Sequence, residues 1–235
     1  MSENIKKISS VKNGEKEYQR FTLKTPLINK GDDIVKIFQT LAGEFIEDGD
    51  IVLVAESPIA ISEGRAFEFS KIKYGFWAKF LSKFVKKTPA GIGLGTPETM
   101  QLAINEVGLS RILFAAFVSA LTRKIKPGLF YEIAGWRARG IDGPTSGTIP
   151  PYNGFATLTP AKPENFAKDF EERIFNSLGK KIKVVVVDAN DIGVNILSDR
   201  KYKDEVSLLA KNYLVADNPM GQGHESTPIV IARKK

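Results

Sequence analysis

Apolar positions recur along this chain in two rhythms, and together they predict a mixed set of strands and helices. Ile51-Val52-Leu53-Val54-Ala55 is a continuous apolar run of strand length, and Ile182 to Val187 is a second one broken only by Lys183. Such runs suit strands buried on both faces. Ile229–Ala232 predicts a last strand, and Leu129–Ala134 another after the turn Lys126-Pro127-Gly128. The helical rhythm sets in at Ile34, Ile37, Phe38 and Leu41, behind the turn Asn29–Asp33, which can cap a helix. It returns at Met100, Ala103, Ile104 and Val107, with Thr96 or Thr99 as cap, and at Phe166, Phe170 and Ile174, in a helix ending at Gly179. Asp204–Ala216 also reads as helix, whereas Ile112–Val118 fits a strand or a buried helix. Residues 1–20 are polar and lysine-rich and predict an N-terminal arm, frayed or paired as an edge strand. The rest, 21–235, is expected to form one domain with 67–130 as a candidate helical subdomain. Strands and helices mix without strict βαβ alternation, so the expected class is α+β or mixed α/β, with mixed sheets and packed helices.

Composition narrows the chemistry. A chain of 235 residues, 43% hydrophobic, buries a sizeable core without covalent staples. It contains no cysteine and one histidine, His224. Disulfides, thiolate catalysis and cysteine- or histidine-rich metal centres are therefore excluded, and any metal must be held mainly by oxygen, as magnesium, manganese and calcium are. The excess of 34 Lys+Arg over 27 Asp+Glu, a net charge of +7, favours an anionic partner without naming it. The start Met1-Ser2-Glu3-Asn4-Ile5-Lys6-Lys7 lacks an apolar core, and the run Ile112–Leu121 is about half a membrane span. The expectation is a cytoplasmic protein without a transmembrane segment.

Four constellations carry chemistry. Asp188 follows a buried strand, where an acidic side chain emerges at the sheet rim and can hold a hard cation; equally, Asp188 or Asn190 can simply turn the chain. Asp142, in Gly140-Ile141-Asp142-Gly143-Pro144-Thr145, has the same two readings. Asn218–Glu225 places Gly221 and Gly223 two apart, a spacing that lets backbone N–H groups approach a phosphate, although it lacks the lysine and spacing of a P-loop. Gly91-Ile92-Gly93-Leu94-Gly95 is a weaker glycine loop, and a lone loop histidine such as His224 is more often inert than catalytic. Last, Ser70–Lys87 holds six lysines and no acid. Phe76, Trp77, Phe80, Leu81 and Phe84 share one helical face opposite Lys79, Lys83 and Lys86. Helical spacing favours aromatics packed on the core; an anionic membrane surface or a nucleic-acid groove are the other readings.

In this order the segments resemble the coenzyme F420-0:γ-glutamyl ligase family. The resemblance rests on Thr25-Pro26-Leu27-Ile28, Glu47–Val54, Ser62-Glu63-Gly64-Arg65, Gly140-Ile141-Asp142, Val187-Asp188-Ala189-Asn190 and Met220-Gly221-Gln222-Gly223 before a strand. It covers most of 25–232 and is poor over about 67–130. It implies a mixed α/β homodimer that uses GTP and Mg2+ or Mn2+ to join glutamate to a small-molecule carboxylate. An acyl phosphate forms first, and an amine then attacks it. Carried over by position, Asp142, Asp188 and Gln222 would be metal ligands. Pro26, Leu27, Ile28, Ser57, Thr145, Met220, Gly221 and Gly223 would line the nucleotide; no catalytic residue is assigned and nucleic acid is not an expected partner. The chain departs from the family at Ile61, where a lysine is usual, at Ala189, where a threonine is usual, and at Thr145, where an asparagine is usual. These departures imply a divergent branch whose acceptor need not be F420. Their extreme form is a non-catalytic module on the same fold that binds nucleotide, nucleic acid or anionic membrane.

Overall fold

The computed structural model describes residues 3–85, 92–122, 128–190, 193–199, 204–221 and 224–235. Along the chain these form β1 (Ile5–Asn13), β2 (Lys16–Leu23), α1 (Ile34–Ala42), β3 (Ile51–Ala55), α2 (Glu56–Ser62) and β4 (Ala66–Glu68). There follow α3 (Phe76–Leu81), α4 (Pro97–Val107), α5 (Leu109–Thr122), α6 (Leu129–Ala134), α7 (Trp136–Arg139) and β5 (Phe155–Thr157). The chain continues with α8 (Pro163–Leu178), β6 (Lys183–Asn190), β7 (Gly193–Ile196), α9 (Glu205–Leu209) with a π-helical turn to Leu214, and β8 (Ile229–Lys234). The whole is a mixed α+β fold in two compact units, one of Met1–Gly64 and Pro160–Lys235, the other of Arg65–Thr159.

The first unit is built on a six-stranded sheet in the order β1-β2-β8-β3-β6-β7. Only β3 and β6 run parallel, with Ile51 opposite Lys183 and Ala55 opposite Val187; the other pairs are antiparallel. The two continuous apolar runs are thus neighbours, and both of their faces are covered. Leu53, Val185, Val187 and Val230 pack on Leu209, Ala210, Leu214, Val215 and Met220. Val52, Val54, Val184 and Val186 point to the opposite face and are also buried, with α8 packed on β6. There Phe38 of α1 meets Phe170 of α8 edge-on, with centroids 5.0 Å apart. The N-terminal arm is the edge strand of a hairpin, and Lys6, Lys7 and Lys12 keep that edge polar.

Asp33 caps α1, its carboxylate accepting from the Lys36 N–H at 3.1 Å and from Arg173 of α8 at 2.6 Å. The Arg173 hydrogen bond holds the Asp33 carboxyl below its ordinary pKa, against the opposing effect of burial. Asp33→Ala is expected to cost about 1 kcal/mol, most of which Asp33→Asn retains. The urea midpoint, read at constant slope, checks this.

The second unit packs its helices around Ala78, Leu81, Leu94, Met100, Leu102, Ala103, Ile112, Ala115, Ala134, Ala138, Ile141, Ala156 and Leu158. Thr96 is the cap of α4, with Pro97 in the first turn, and Ile112–Val118 resolves as helix within α5. Two expectations fail. Leu129–Ala134 is helical, not a strand: Gly128 at φ +91° and Gly135 at φ +94° bracket one short helix that packs on α5. The aromatics of α3 are not a core stripe. Ala78 and Leu81 are buried, whereas Phe76, Trp77, Phe80 and Phe84 are exposed, Phe76 and Phe84 by 72% and 70%.

Candidate functional site

Strand direction gathers several of the candidate residues at one end of the first unit's sheet. In the β3–β6 register Ala55 lies opposite Val187, so Ser57 of α2 and Asp188 of β6 leave the core at the carboxyl ends of adjacent parallel strands. Leu23 of β2 pairs with Ile229 of β8, which places Pro26-Leu27-Ile28 just beyond that same end. The loop through Met220 and Gly221 enters β8 there too, because Ile229 pairs with Val54 and the Ala55 N–H donates to Pro228 O at 2.9 Å. Pro26, Ile28, Ser57, Asp188, Met220 and Gly221 are therefore near neighbours in topology although scattered in sequence. The carboxyl rim of parallel strands is where ligands of open α/β sheets bind.

Local contacts fix the parts. Asp188 is half-buried, and Asn195 of β7 donates to its Oδ2 at 3.1 Å. Ala189 points the other way, against the core cluster. Ile28 is buried and Pro26 exposed. Thr25 is tied to Ser226 twice, by its N–H to Ser226 O and by Ser226 Oγ to its carbonyl, both 2.9 Å. The Thr25 hydroxyl is buried and has no hydrogen-bond partner among the described residues. Met220 is buried, its carbonyl taking the Thr227 hydroxyl at 3.0 Å, and Gly221 follows at φ +76°. A Cβ at Gly221 would strain that left-handed backbone and approach Glu225 to 3.2 Å. His224 is exposed, and Gln222 and Gly223 lie outside the described residues, as do Lys86, Gly91 and Asp191.

Asp142 and Thr145 belong to the second unit. Asp142 exchanges two backbone hydrogen bonds with Thr157, at 2.9 and 2.8 Å, and its side chain is exposed. The preceding Gly140 is required by a close approach: a Cβ there would lie 2.3 Å from Thr159 Cγ2. Thr145 is exposed, its hydroxyl accepting from the Gly147 N–H at 3.3 Å. Ile61 is buried in α2, a position whose packing takes an apolar side chain. The Glu63-Gly64-Arg65 motif fastens the chain where it passes between units. Glu63 accepts from the Ala161 N–H at 2.7 Å, and Arg65 donates to Thr159 O at 2.7 Å and to Glu106 at 2.8 Å.

One carboxylate was passed over. Glu56 follows the apolar run of β3 as Asp188 follows that of β6, and it is buried at the same rim. The signal, an acid directly after a buried strand, is the same in both. A small cavity lined by Glu171, Lys183, Asp199 and Asp204 lies at the opposite end of β6. There, burial pulls the Lys183 pKa down, but Asp204 and Glu171 outweigh it and raise the value.

The donors at the rim are oxygen atoms, the kind Mg2+ and Mn2+ take, although no group of three or more His, Cys, Asp or Glu residues that could hold a metal occurs among the described residues.

Comparison with known proteins gives a consistent result. The family model described as F420-0:Gamma-glutamyl ligase matches residues 22–196. The coenzyme F420:L-glutamate ligase of Methanothermobacter thermautotrophicus is 26% identical over 235 residues, covering 88% of this chain and 85% of the relative. That of Archaeoglobus fulgidus is 26% identical over 232 residues, with 88% and 84% covered. The Methanopyrus kandleri protein of the same name is 22% identical over 230 residues, with 88% and 82% covered.

Proposed function

Because this chain belongs to the F420-0:γ-glutamyl ligase family, we propose that it joins an amino acid to a small-molecule carboxylate through an amide bond, at the expense of a nucleoside triphosphate. Glutamate is the amino acid in the family-like case and GTP the nucleotide, with the protein acting as a homodimer. The observation that carries this reading is the convergence of Pro26–Ile28, Ser57, Asp188 and Met220–Gly221 at one sheet end. The γ-phosphoryl group passes to the acceptor carboxylate, giving an acyl phosphate and a nucleoside diphosphate. The glutamate amine then attacks the acyl carbon and inorganic phosphate leaves.

Phosphoryl transfer of this kind needs positioning and charge neutralisation more than covalent help from the protein. Ile28 and Met220 give the nucleotide an apolar seat, and the Gly221 backbone approaches it without a Cβ. The Ser57 hydroxyl supplies a hydrogen bond from α2. Bound Mg2+ or Mn2+ would neutralise phosphate charge, and Asp188 is the described residue that would hold it. Asn195 keeps the Asp188 carboxylate in one orientation. Asp142 in the other unit, Thr145 beside it, and Gln222 and Gly223 join this reading through the resemblance alone.

The test is thermal stabilisation by GTP and by ATP, each with and without manganese, followed by incorporation of labelled glutamate into carboxylate acceptors. Nucleotide at about a hundred times its dissociation constant adds roughly 2.7 kcal/mol to the unit that binds it. Stabilisation by either nucleotide that needs the metal supports the ligase. No stabilisation by any nucleotide overturns it and leaves a module without this chemistry.

A further inference from the structure

The net positive charge of this protein comes from one unit. Between Arg65 and Thr159 there are 13 Lys+Arg and 5 Asp+Glu, a net +8, so the remaining residues, with 21 and 22, carry −1. The same unit holds nine of the thirteen exposed large hydrophobic residues found among the described ones. Both features peak on the segment 69–85. Phe76, Trp77, Phe80 and Phe84 turn outward from α3 and the 3-10 turn after it. They pack on one another: Phe76 stacks on Phe80 with centroids 6.1 Å apart, and Phe80 meets Phe84 at 5.1 Å. Lys71, Lys73, Lys79 and Lys83 are exposed around them, and from Phe69 to Pro97 the sequence has no carboxylate. A second outward apolar stripe runs along α5 through Phe114, Phe117 and Leu121, exposed by 60–69%.

We propose that the 65–159 unit is a peripheral membrane-binding module that docks on an anionic lipid bilayer, with the α3 aromatics entering the interface and the surrounding lysines meeting the headgroups. Exposed aromatics in contact with each other leave apolar area in water, and patches of this kind on soluble units mark interaction sites. A ring of lysines around an apolar centre is the pattern of helices that lie in the headgroup region. A second copy is a poor occupant, because a two-fold interface would set this lysine-rich face against itself. Nucleic acid fits less well. Its aromatic platforms offer separate ring faces to successive bases, whereas these rings occupy one another, and the aliphatic stripe of α5 has no base to read. No single helix among the described residues is long and apolar enough to cross a membrane, and α4 and α5, which are long and apolar enough together, are bent by 115° at their break.

The experiment is flotation of the full-length protein with vesicles of neutral phosphatidylcholine and of phosphatidylcholine with 30% phosphatidylglycerol, at low and high salt. It is joined by fluorescence of a Trp136→Phe variant in which Trp77 is the sole indole. The expected result is binding to the anionic vesicles alone, a blue shift of Trp77, and release by salt. Lys79→Gln with Lys83→Gln should weaken binding about 25-fold, at roughly fivefold per lysine. Phe76→Ser and Phe80→Ser should each weaken it roughly tenfold or more. Since these side chains are exposed, circular dichroism should show the fold of the variants unchanged. Equal binding to neutral vesicles, or none to anionic ones at low salt, overturns the proposal. So does single-stranded oligonucleotide binding without vesicle binding, or an aromatic variant that changes only the oligomeric state. None of these readouts depends on ligase activity.

Discussion

Asp188→Asn is expected to lower amide-ligase turnover by about a hundredfold or more and to abolish the metal-dependent part of nucleotide stabilisation, while the protein stays folded. The amide is nearly the same shape, and its oxygen can still accept from Asn195. What it removes is the negative charge at the rim of the β3–β6 pair. Charge-assisted contacts are worth roughly 1.5–3 kcal/mol each, and groups aimed at charge developing in a transition state reach about 10²–10³ in rate. Asp188 is half-buried and lies outside the sheet's apolar layers, so the melting temperature without ligand should hardly move. Two readouts separate the possibilities. If turnover falls but metal-dependent stabilisation persists, Asp188 does not hold the cation; if neither changes, Asp188 lies outside the site.

The largest stability loss is expected from Asp217→Ala, at about 2 kcal/mol. Its partner Arg20 sits in the middle of β2 with its guanidinium fully buried. Arg20 donates to Ser9 O and Oγ of β1, both at 2.8 Å, to Leu214 O at 3.0 Å, and to Asp217 Oδ2 at 2.8 Å. Asp217 supplies the only formal negative charge in that set. Without it a buried cation keeps its carbonyl partners but loses its counter-charge; the Asp217 side chain is half exposed, so water takes up part of that role and the cost stays below that of a fully buried pair. The effect is pH-dependent with a definite sign. The Arg20 hydrogen bond holds the Asp217 carboxyl below its ordinary pKa, against burial. A group depressed in the folded state contributes stability above its unfolded value, about 3.9, and loses it as pH falls through the folded value. The gap between wild type and Asp217→Ala should therefore be full at neutral pH and close below about pH 4. Urea titrations at several pH values measure it.

How much of this was legible in the sequence depended on whether the information was local. The Thr96 cap and the helix ending at Gly179 each follow from adjacent residues and are where the pattern places them, whereas β6 runs on past Val187 to Asn190, so Asp188 lies within the strand and pairs with Asn195 of β7. The fold class and the family were legible as well, from segment order. Periodicity set Leu81 on one face with Phe76, Trp77, Phe80 and Phe84, but could not tell which of them look inward. Leu81 and the small Ala78 took the core side, and the four aromatics turned outward. Leu129–Ala134 was too short for its period to decide, and the glycines at both ends settled it as helix. The gathering of Pro26–Ile28, Ser57, Asp188 and Met220 needs the sense of every strand in a 6-stranded sheet, which no local pattern contains. Glu56 was missed although its signal equals that of Asp188, because only the parallel register sets the two strand ends side by side.

The two passages between units lie against each other, the Leu158 N–H donating to Arg65 O at 3.0 Å. This has a consequence for folding order. Pairing β3 with β6 closes the loop 56–182, most of which is the 65–159 unit. If that unit folds first, its ends are already joined, and the loop to be closed shrinks to roughly a quarter of its length. By the logarithmic law of loop closure, two halvings save about 1.2 kcal/mol of chain entropy. The parallel pair that carries Asp188 then forms late and fast, on a chain that the other unit has already shortened.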